Sequence, residues 1–198
     1  MAKGEREECR ELAGQVAADP RLAPYAALLL GMLATSEGHT DEALAHFATA
    51  EEQGGSSSYL LGNVAWAHLA AKRLDDAERL CLAIRKLEPE SALAPFGLAI
   101  IHADRGKSAE SADEALNAIG RRYFWPEAHA QLGMALVRLG QTDRAIQAFE
   151  TSVAQRPTAL AHEWLALIHE RATHDGAQAT AHRRSALALR GGATGGST

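Results

Sequence analysis

The stretch AHEWLALIHERATH, residues 161–174, holds three of the chain's nine histidines, and imidazoles on a helix are the ligands a zinc ion prefers. The spacing argues against a metal. His162 and His169 are seven residues apart, about two helical turns or roughly 10 Å of rise, too far to share one ion without unwinding the helix. Glu163 follows His162, but no His stands three residues further on, so the zinc-protease pattern fails. RGKS at 105–108 ends like a phosphate loop, yet Ile101 stands where that loop needs Gly and no strand precedes it. It is expected to be a helix turn. GGSSS at 54–58 lacks the arrangement around a nucleophilic serine and reads as a connecting loop. Glu51 with Glu52, and Asp75 with Asp76, are neighbours that point in different directions on a helix, so they are expected on solvated faces and not as an acid and base pair. No catalytic residue, metal or cofactor is expected, and the chain reads as non-enzymatic.

The elements that would have to position any site are helices. Ala and Leu dominate, aromatics are few, and Pro occurs only at spaced positions, which predicts an all-α chain. A segment around LGMALVRLGQTDRAIQAF, residues 132–149, sets the register of a repeat. Counted from Pro126, Leu132 and Gly133 are the seventh and eighth positions, Gly140 the fifteenth, Ala145 the twentieth, Phe149 the twenty-fourth and Pro157 the thirty-second. Counted from Pro24, the offsets seven, eight, fifteen, twenty and twenty-four give Leu30, Gly31, Gly38, Ala43 and Phe47 in a first unit, with Ala50 at the twenty-seventh. Starts at Ser58, Ala92 and Leu160 complete five units at a 34-residue spacing without insertion. Each unit predicts a first helix of about 14 residues, a short turn, and a second helix with apolar residues three and four apart. Small residues at the eighth and twentieth positions allow close approach. In EGHTDEA, RGKSAES and LGQTDRA, Gly is expected to end the first helix and Thr or Ser to cap the second. Pro24 and Pro126 open first helices, Pro89 and Pro157 follow second ones, and Pro95 falls in a first turn.

This pattern resembles the tetratricopeptide repeat family, with Leu-Gly at seven and eight, Ala at twenty, Phe at twenty-four and Pro at thirty-two. The resemblance is closest in the first and fourth units and spans residues 24–190. It implies a right-handed α-solenoid of about five helical hairpins: 24–57, 58–91, 92–125, 126–159 and 160–190. Residues 1–23 are expected to hold an N-terminal capping helix, with Cys9, Ala13 and Val16 on its apolar side, and 191–198 a flexible tail. In the third unit Ala115 replaces the large residue, so its second helix is expected to be shorter or displaced, with Tyr123, Phe124 and Trp125 packing in compensation or forming a secondary contact site. Arg183 at the twenty-fourth position of the fifth unit fits a C-terminal capping helix with a solvated outer face. His68 and His102 share the eleventh position and are expected to be interior.

In this family the first helices line a concave face, and ligands usually lie against the second, fifth, ninth and twelfth positions. Carried over, these are Tyr25, Leu28, Met32 and Thr35; Tyr59, Gly62, Trp66 and Leu69; Leu93, Phe96, Ile100 and Ala103; Glu127, Ala130, Met134 and Val137; and Ala161, Trp164, Ile168 and Arg171. The face is largely apolar and is expected to be exposed, as interaction surfaces are. The Lys, Arg and Asn clamp that holds acidic C-terminal peptides in other members is missing from it. An apolar groove of this kind is similar to that of the family's bacterial secretion chaperones. The expected function is an adaptor, scaffold or chaperone that takes an apolar or amphipathic segment of a partner protein; the alternative is a homo-oligomer closed over the same face.

Composition limits the other classes. A net charge of −5 with both signs interspersed leaves no basic patch for nucleic acid. Cys9 and Cys81 are far apart, outside any paired metal or redox spacing, and are expected as small core residues. The charged opening MAKGEREECREL has no leader-like apolar run, and no stretch is long and apolar enough for a membrane span, so a cytoplasmic location is expected.

Overall fold

The computed structural model describes residues 3–54 and 57–194 and, among these, folds into eleven α-helices and no strand. They are α1 (Lys3–Val16), α2 (Ala23–Glu37), α3 (Thr40–Gly54), α4 (Ser58–Ala70), α5 (Leu74–Leu87), α6 (Leu93–Asp104), α7 (Ser108–Arg121), α8 (Pro126–Arg138), α9 (Thr142–Gln155), α10 (Ala159–Arg171) and α11 (Gly176–Thr194). The second helices of the five hairpins begin at Thr40, Leu74, Ser108, Thr142 and Gly176, each 34 residues after the last. Consecutive helices pack as antiparallel pairs, α2 on α3, α4 on α5, α8 on α9 and α10 on α11. None of the described helices is long and apolar enough to cross a membrane.

The hairpin turns share one backbone device. Gly38, Gly106 and Gly140 adopt φ of 81°, 75° and 71°, the left-handed conformation that only glycine enters without steric cost. The amide one residue later then reaches back to the helix: His39 to the Ala34 carbonyl at 2.9 Å, Lys107 to His102 at 2.8 Å, Gln141 to Leu136 at 2.9 Å. In the second hairpin Lys72 takes the glycine's place with φ 58°, and Arg73 makes the equivalent bond to His68 at 2.9 Å. The expected Thr and Ser caps differ from what forms. Ser108 and Thr142 are the first helical residues, while Lys107 and Gln141 occupy the cap positions without a side-chain cap bond. Side-chain caps form elsewhere: Ser57 Oγ accepts from the Leu60 amide at 3.3 Å and Thr158 Oγ1 from Ala161 at 3.2 Å on the first helices α4 and α10, and Asp175 Oδ1 accepts from the Gln178 amide at 3.0 Å on α11.

The chain divides into two compact units, Met1–Gly97 and Leu98–Thr198. Within each, a hairpin is filled by one of two volume-matched pairs. A Cβ on Gly31 would lie 2.4 Å from the Phe47 ring, and one on Gly133 would lie 2.7 Å from the Phe149 ring, so the glycine at position eight is the seat of the phenyl at position twenty-four. Where position eight is Ala65 or Ala99, position twenty-four is the smaller Cys81 or Ala115. All of these side chains are buried. Cys81 Sγ fills a further niche, 2.4 Å from where a Gly97 Cβ would sit.

This pairing corrects the expectation for the third hairpin. Its second helix, α7, is not shortened: it has 14 residues, as α5 and α9 do. Ala115 leaves no deficit because Ala99 faces the same hairpin interior and Ser111 Oγ donates to the Ala99 carbonyl at 2.8 Å. Gln131, buried, donates to the Ala99 carbonyl at 3.3 Å and to Ser111 Oγ at 3.1 Å, completing a satisfied polar cluster. Tyr123 and Phe124 therefore do not pack inward; Phe124 is 75% exposed. Cys81 is buried, but Cys9 is only half-buried, and Val16 is exposed while Ala13 alone of its expected trio is fully covered. The predicted tail is helical as far as Thr194, and residues 195–198 of it lie outside the described residues, as do 55 and 56 of the GGSSS loop.

Candidate functional site

In the first unit, α2 and α4 place the inner residues. α2 is apolar on nearly every side, so its buried face and its exposed face are both built from hydrophobic residues. Leu28 and Ala27 turn into the core, while Leu22, Tyr25, Leu29 and Met32 stay exposed. Their spacing of three, four and three residues puts them on one stripe of the helix. On α4, Tyr59 and Trp66 stand at the same repeat positions as Tyr25 and Met32 and are likewise exposed. Exposure of Tyr25, Leu29, Met32, Tyr59 and Trp66 runs from 36% to 64%. The Trp66 ring rests on Phe96, centroids 5.3 Å apart and tilted by 54°, so the indole is held from beneath. Leu93 is half-buried and packs 3.3 Å from where a Gly62 Cβ would be.

Several expected contact residues lie in the core and are not available to a ligand. Leu28, Leu69, Phe96 and Ile168 are all buried, as are Gly62, Ala130 and Ala161. For Leu28, Gly62, Phe96 and Ala130 the reason is angular: the fifth position turns into the core, and in the first unit the exposed stripe runs through positions two, six and nine. Leu29 at position six was missed by carrying over family offsets; the three-four-three spacing of Leu22, Tyr25, Leu29 and Met32 marks the same stripe in the sequence itself. Thr35 is exposed but donates to the Gly31 carbonyl of its own helix at 2.8 Å. It borders an apolar pocket of about 250 Å³ walled by Ala43, Leu44, Phe47, Ala70 and Ala71.

The second unit is more closed. Ile100, Met134, Val137 and Trp164 are half-buried, the last three packed against the unit's core. Trp164 stacks on Phe149, with centroids 5.9 Å apart and planes within 8°. Of the expected rim residues, Glu127 is paired with Arg156 and Arg171 is exposed at the end of α10. The loop after α7 is fixed rather than loose: the Tyr123 carbonyl accepts from Gln155 at 3.0 Å and lies 2.9 Å from His129 Nε2, and Arg122 lies over the Trp125 ring at 5.2 Å.

The histidines fall in different settings. His68 is buried against Phe47, with Nδ1 unpartnered, and burial holds its pKa below the ordinary imidazole value. His102 is half-buried. Beyond what α10 alone suggests, His182 of α11 meets His162, with their Nδ1 atoms 2.9 Å apart. Among the described residues no group of three His, Cys, Asp or Glu is placed to hold a metal ion.

Two family profiles described as tetratricopeptide repeat match residues 34–97 and 131–192. No curated protein matches the chain. Among solved structures, BtubC from P. vanneervenii is similar at 18% identity and a TM-score of 0.75, over 98% of this chain and 92% of that one. A thermophilic TPR protein of Thermus thermophilus is similar at 18% identity and a TM-score of 0.71, over 84% and 91%. MamA is similar at 18% identity and a TM-score of 0.64, over 88% and 96%. At these identities the likeness is one of fold.

Proposed function

Because the chain belongs to the tetratricopeptide repeat family, a family of protein-interaction modules, we propose that it holds an apolar or amphipathic segment of a partner protein, as an adaptor, scaffold or chaperone and without catalysis. The observation that carries this reading is the exposed stripe on α2 and α4: Tyr25, Leu29, Met32, Tyr59 and Trp66. Soluble proteins seldom leave aromatic and Met side chains open in one contiguous set unless something covers them. The three-four-three spacing on α2 is that of a helix seam, which favours an amphipathic helix as the segment. Trp66 is the central anchor, because its ring is already held by Phe96 and loses little freedom on binding. On the second unit Ile100, Met134, Val137 and Trp164 offer a smaller apolar contact, with Glu127 and Arg171 beside it.

The test is a Met32→Glu, Trp66→Glu double variant, chosen because both side chains are exposed and the helices should persist. Circular dichroism matching the wild type, together with loss of partner capture by at least about 30-fold in affinity, is the expected result. Unchanged capture would overturn the assignment. Light scattering on both proteins separates the second reading: a wild-type oligomer that the variant reduces to a monomer would make a second copy of this chain the occupant.

A further inference from the structure

The last helix is attached to its hairpin partner in an unusual way. Of the α11 side chains described, only Ala179 and Ala186 are buried, each presenting a single methyl group. Leu187 and Leu189 face solvent. Two ion pairs cross to α10, Arg183 with Glu170 and Arg190 with Glu163, and all four groups are substantially exposed, where such pairs contribute little. What remains at the centre of the seam is a row of imidazoles. His162 of α10 is buried and its ring lies 5.2 Å from that of His182, with the two Nδ1 atoms at 2.9 Å. On the other side His169 stacks on His182, centroids 5.7 Å apart and planes within 2°.

Two nitrogens at hydrogen-bonding distance hold one proton between them. One ring must donate and the other must accept through a lone pair, so at least one is neutral. A second proton would replace N–H···N by two N–H groups pointing at each other across the same gap. No third ligand stands beside the pair to recruit a metal ion in the proton's place among the described residues.

We propose that the His162–His182 pair is a proton-operated latch: it holds α11 on α10 while the pair is neutral and releases α11 when both rings are protonated. The groups around it set the direction. From α10, Glu163 and Glu170 are occupied by Arg190 and Arg183, and His169 adds positive charge of its own when protonated. From α9, Glu150 favours the charged form of His182 and opposes the latch in part. From α11 itself, Arg183 and Arg184 flank His182, and His174 and Asp175 sit in the turn, where Asp175 accepts from the Gln178 amide at 3.0 Å.

The docked state therefore disfavours protons. Burial holds both His162 and His182 below the ordinary imidazole pKa, and in His182 the neighbouring histidines add to the effect. A released α11 returns both rings toward about 6.5. Docking is at full strength above that value and is lost as pH falls below it, with the docking constant dropping by up to about tenfold per pH unit for each proton taken up. Release uncovers the apolar side of α10 that α11 had covered.

The experiment is amide hydrogen exchange on the full chain at about pH 7.5 and about pH 5.5, corrected for the intrinsic pH dependence of exchange. The expected result is that protection of α11 falls by at least about tenfold at the lower pH while α8 and α9 keep theirs. In His182→Gln, where only His162 of the pair can still titrate, the fall in α11 protection between the two pH values should be clearly smaller than in the wild type, whatever its level. Arg183→Gln should lower α11 protection equally at both. A wild-type α11 whose protection differs by less than about twofold would overturn the latch, and so would the wild-type pH response persisting in His182→Gln. An NMR titration of the unaltered chain gives an independent check: the His162 and His182 rings should protonate below the ordinary imidazole value of about 6.5, and titration at that value would refute the proposal.

Discussion

Lys72 and His68 lie close together in the sequence and carry opposite lessons about single residues. Lys72 adopts a left-handed backbone that its counterparts Gly38, Gly106 and Gly140 enter freely, and a side chain there costs about 1 kcal/mol. Lys72→Gly should therefore stabilise the protein by about that amount, read as a raised thermal midpoint. His68 is buried with an unpartnered Nδ1, and burial keeps it neutral. Its folded pKa lies below the unfolded one, so the protonation-linked part of its cost to stability is absent above about pH 6.5 and grows as pH falls below that value. Replacing it with an apolar residue of similar size, His68→Leu, should flatten the acid side of the stability curve, checked by urea unfolding across pH. The sequence placed His68 inside by its repeat position. It did not reveal that the two nitrogens of the ring would be treated unequally, because that depends on which atoms of other helices arrive beside them.

At the scale of the helix, the controlling fact is the match between positions eight and twenty-four. Gly31 with Phe47 and Gly133 with Phe149 are lock-and-key pairs; Ala65 with Cys81 and Ala99 with Ala115 share the volume differently. Gly133→Ala forces a methyl group into the Phe149 ring and should destabilise by about 1 to 3 kcal/mol in chemical denaturation. Adding Phe149→Leu should return part of that loss, since the smaller side chain vacates the contact. Read position by position, the sequence made Ala115 look like a defect and predicted a damaged α7. Read as pairs, the same residues predict an intact one. The family offsets likewise identified Tyr25, Met32, Tyr59 and Trp66 as surface but assigned Leu28, Leu69, Phe96 and Ile168 to it as well. Offsets describe an average helix, whereas a helix apolar all round, such as α2, is divided between core and surface only by what packs on it.

For the molecule as a whole, period and element type were legible because the first and fourth hairpins carry the full set of local instructions, glycine turn, small residue and large residue, and the others keep enough of it at the same interval. The meeting of His162 with His182 was not, since a hairpin brings together residues whose separation alone carries no chemical meaning. Two compact units with separate cores also predict where damage should spread. In a chain stabilised by neighbouring repeats, Phe149→Ala should cost about 3 to 5 kcal/mol and remove exchange protection from α8 to α10 before α2 to α5, and Phe47→Ala should do the reverse. Simultaneous loss across all helices in either variant would contradict this.

The even spacing of the second helices also governs how such a chain can gain or lose length. Excising 34 residues from any starting point returns the polypeptide to the same phase, so no breakpoint is privileged by geometry. Side-chain volume imposes the preference that geometry does not. Joining α2 to α9 by removing residues 40–141 would reunite Gly31 with Phe149, a glycine seat with a phenyl. Joining α2 to α5 by removing 40–73 would set Gly31 against Cys81 and leave a void where the ring belonged. The first four hairpins are thus of two kinds, and splices within a kind are the ones that keep a filled interior.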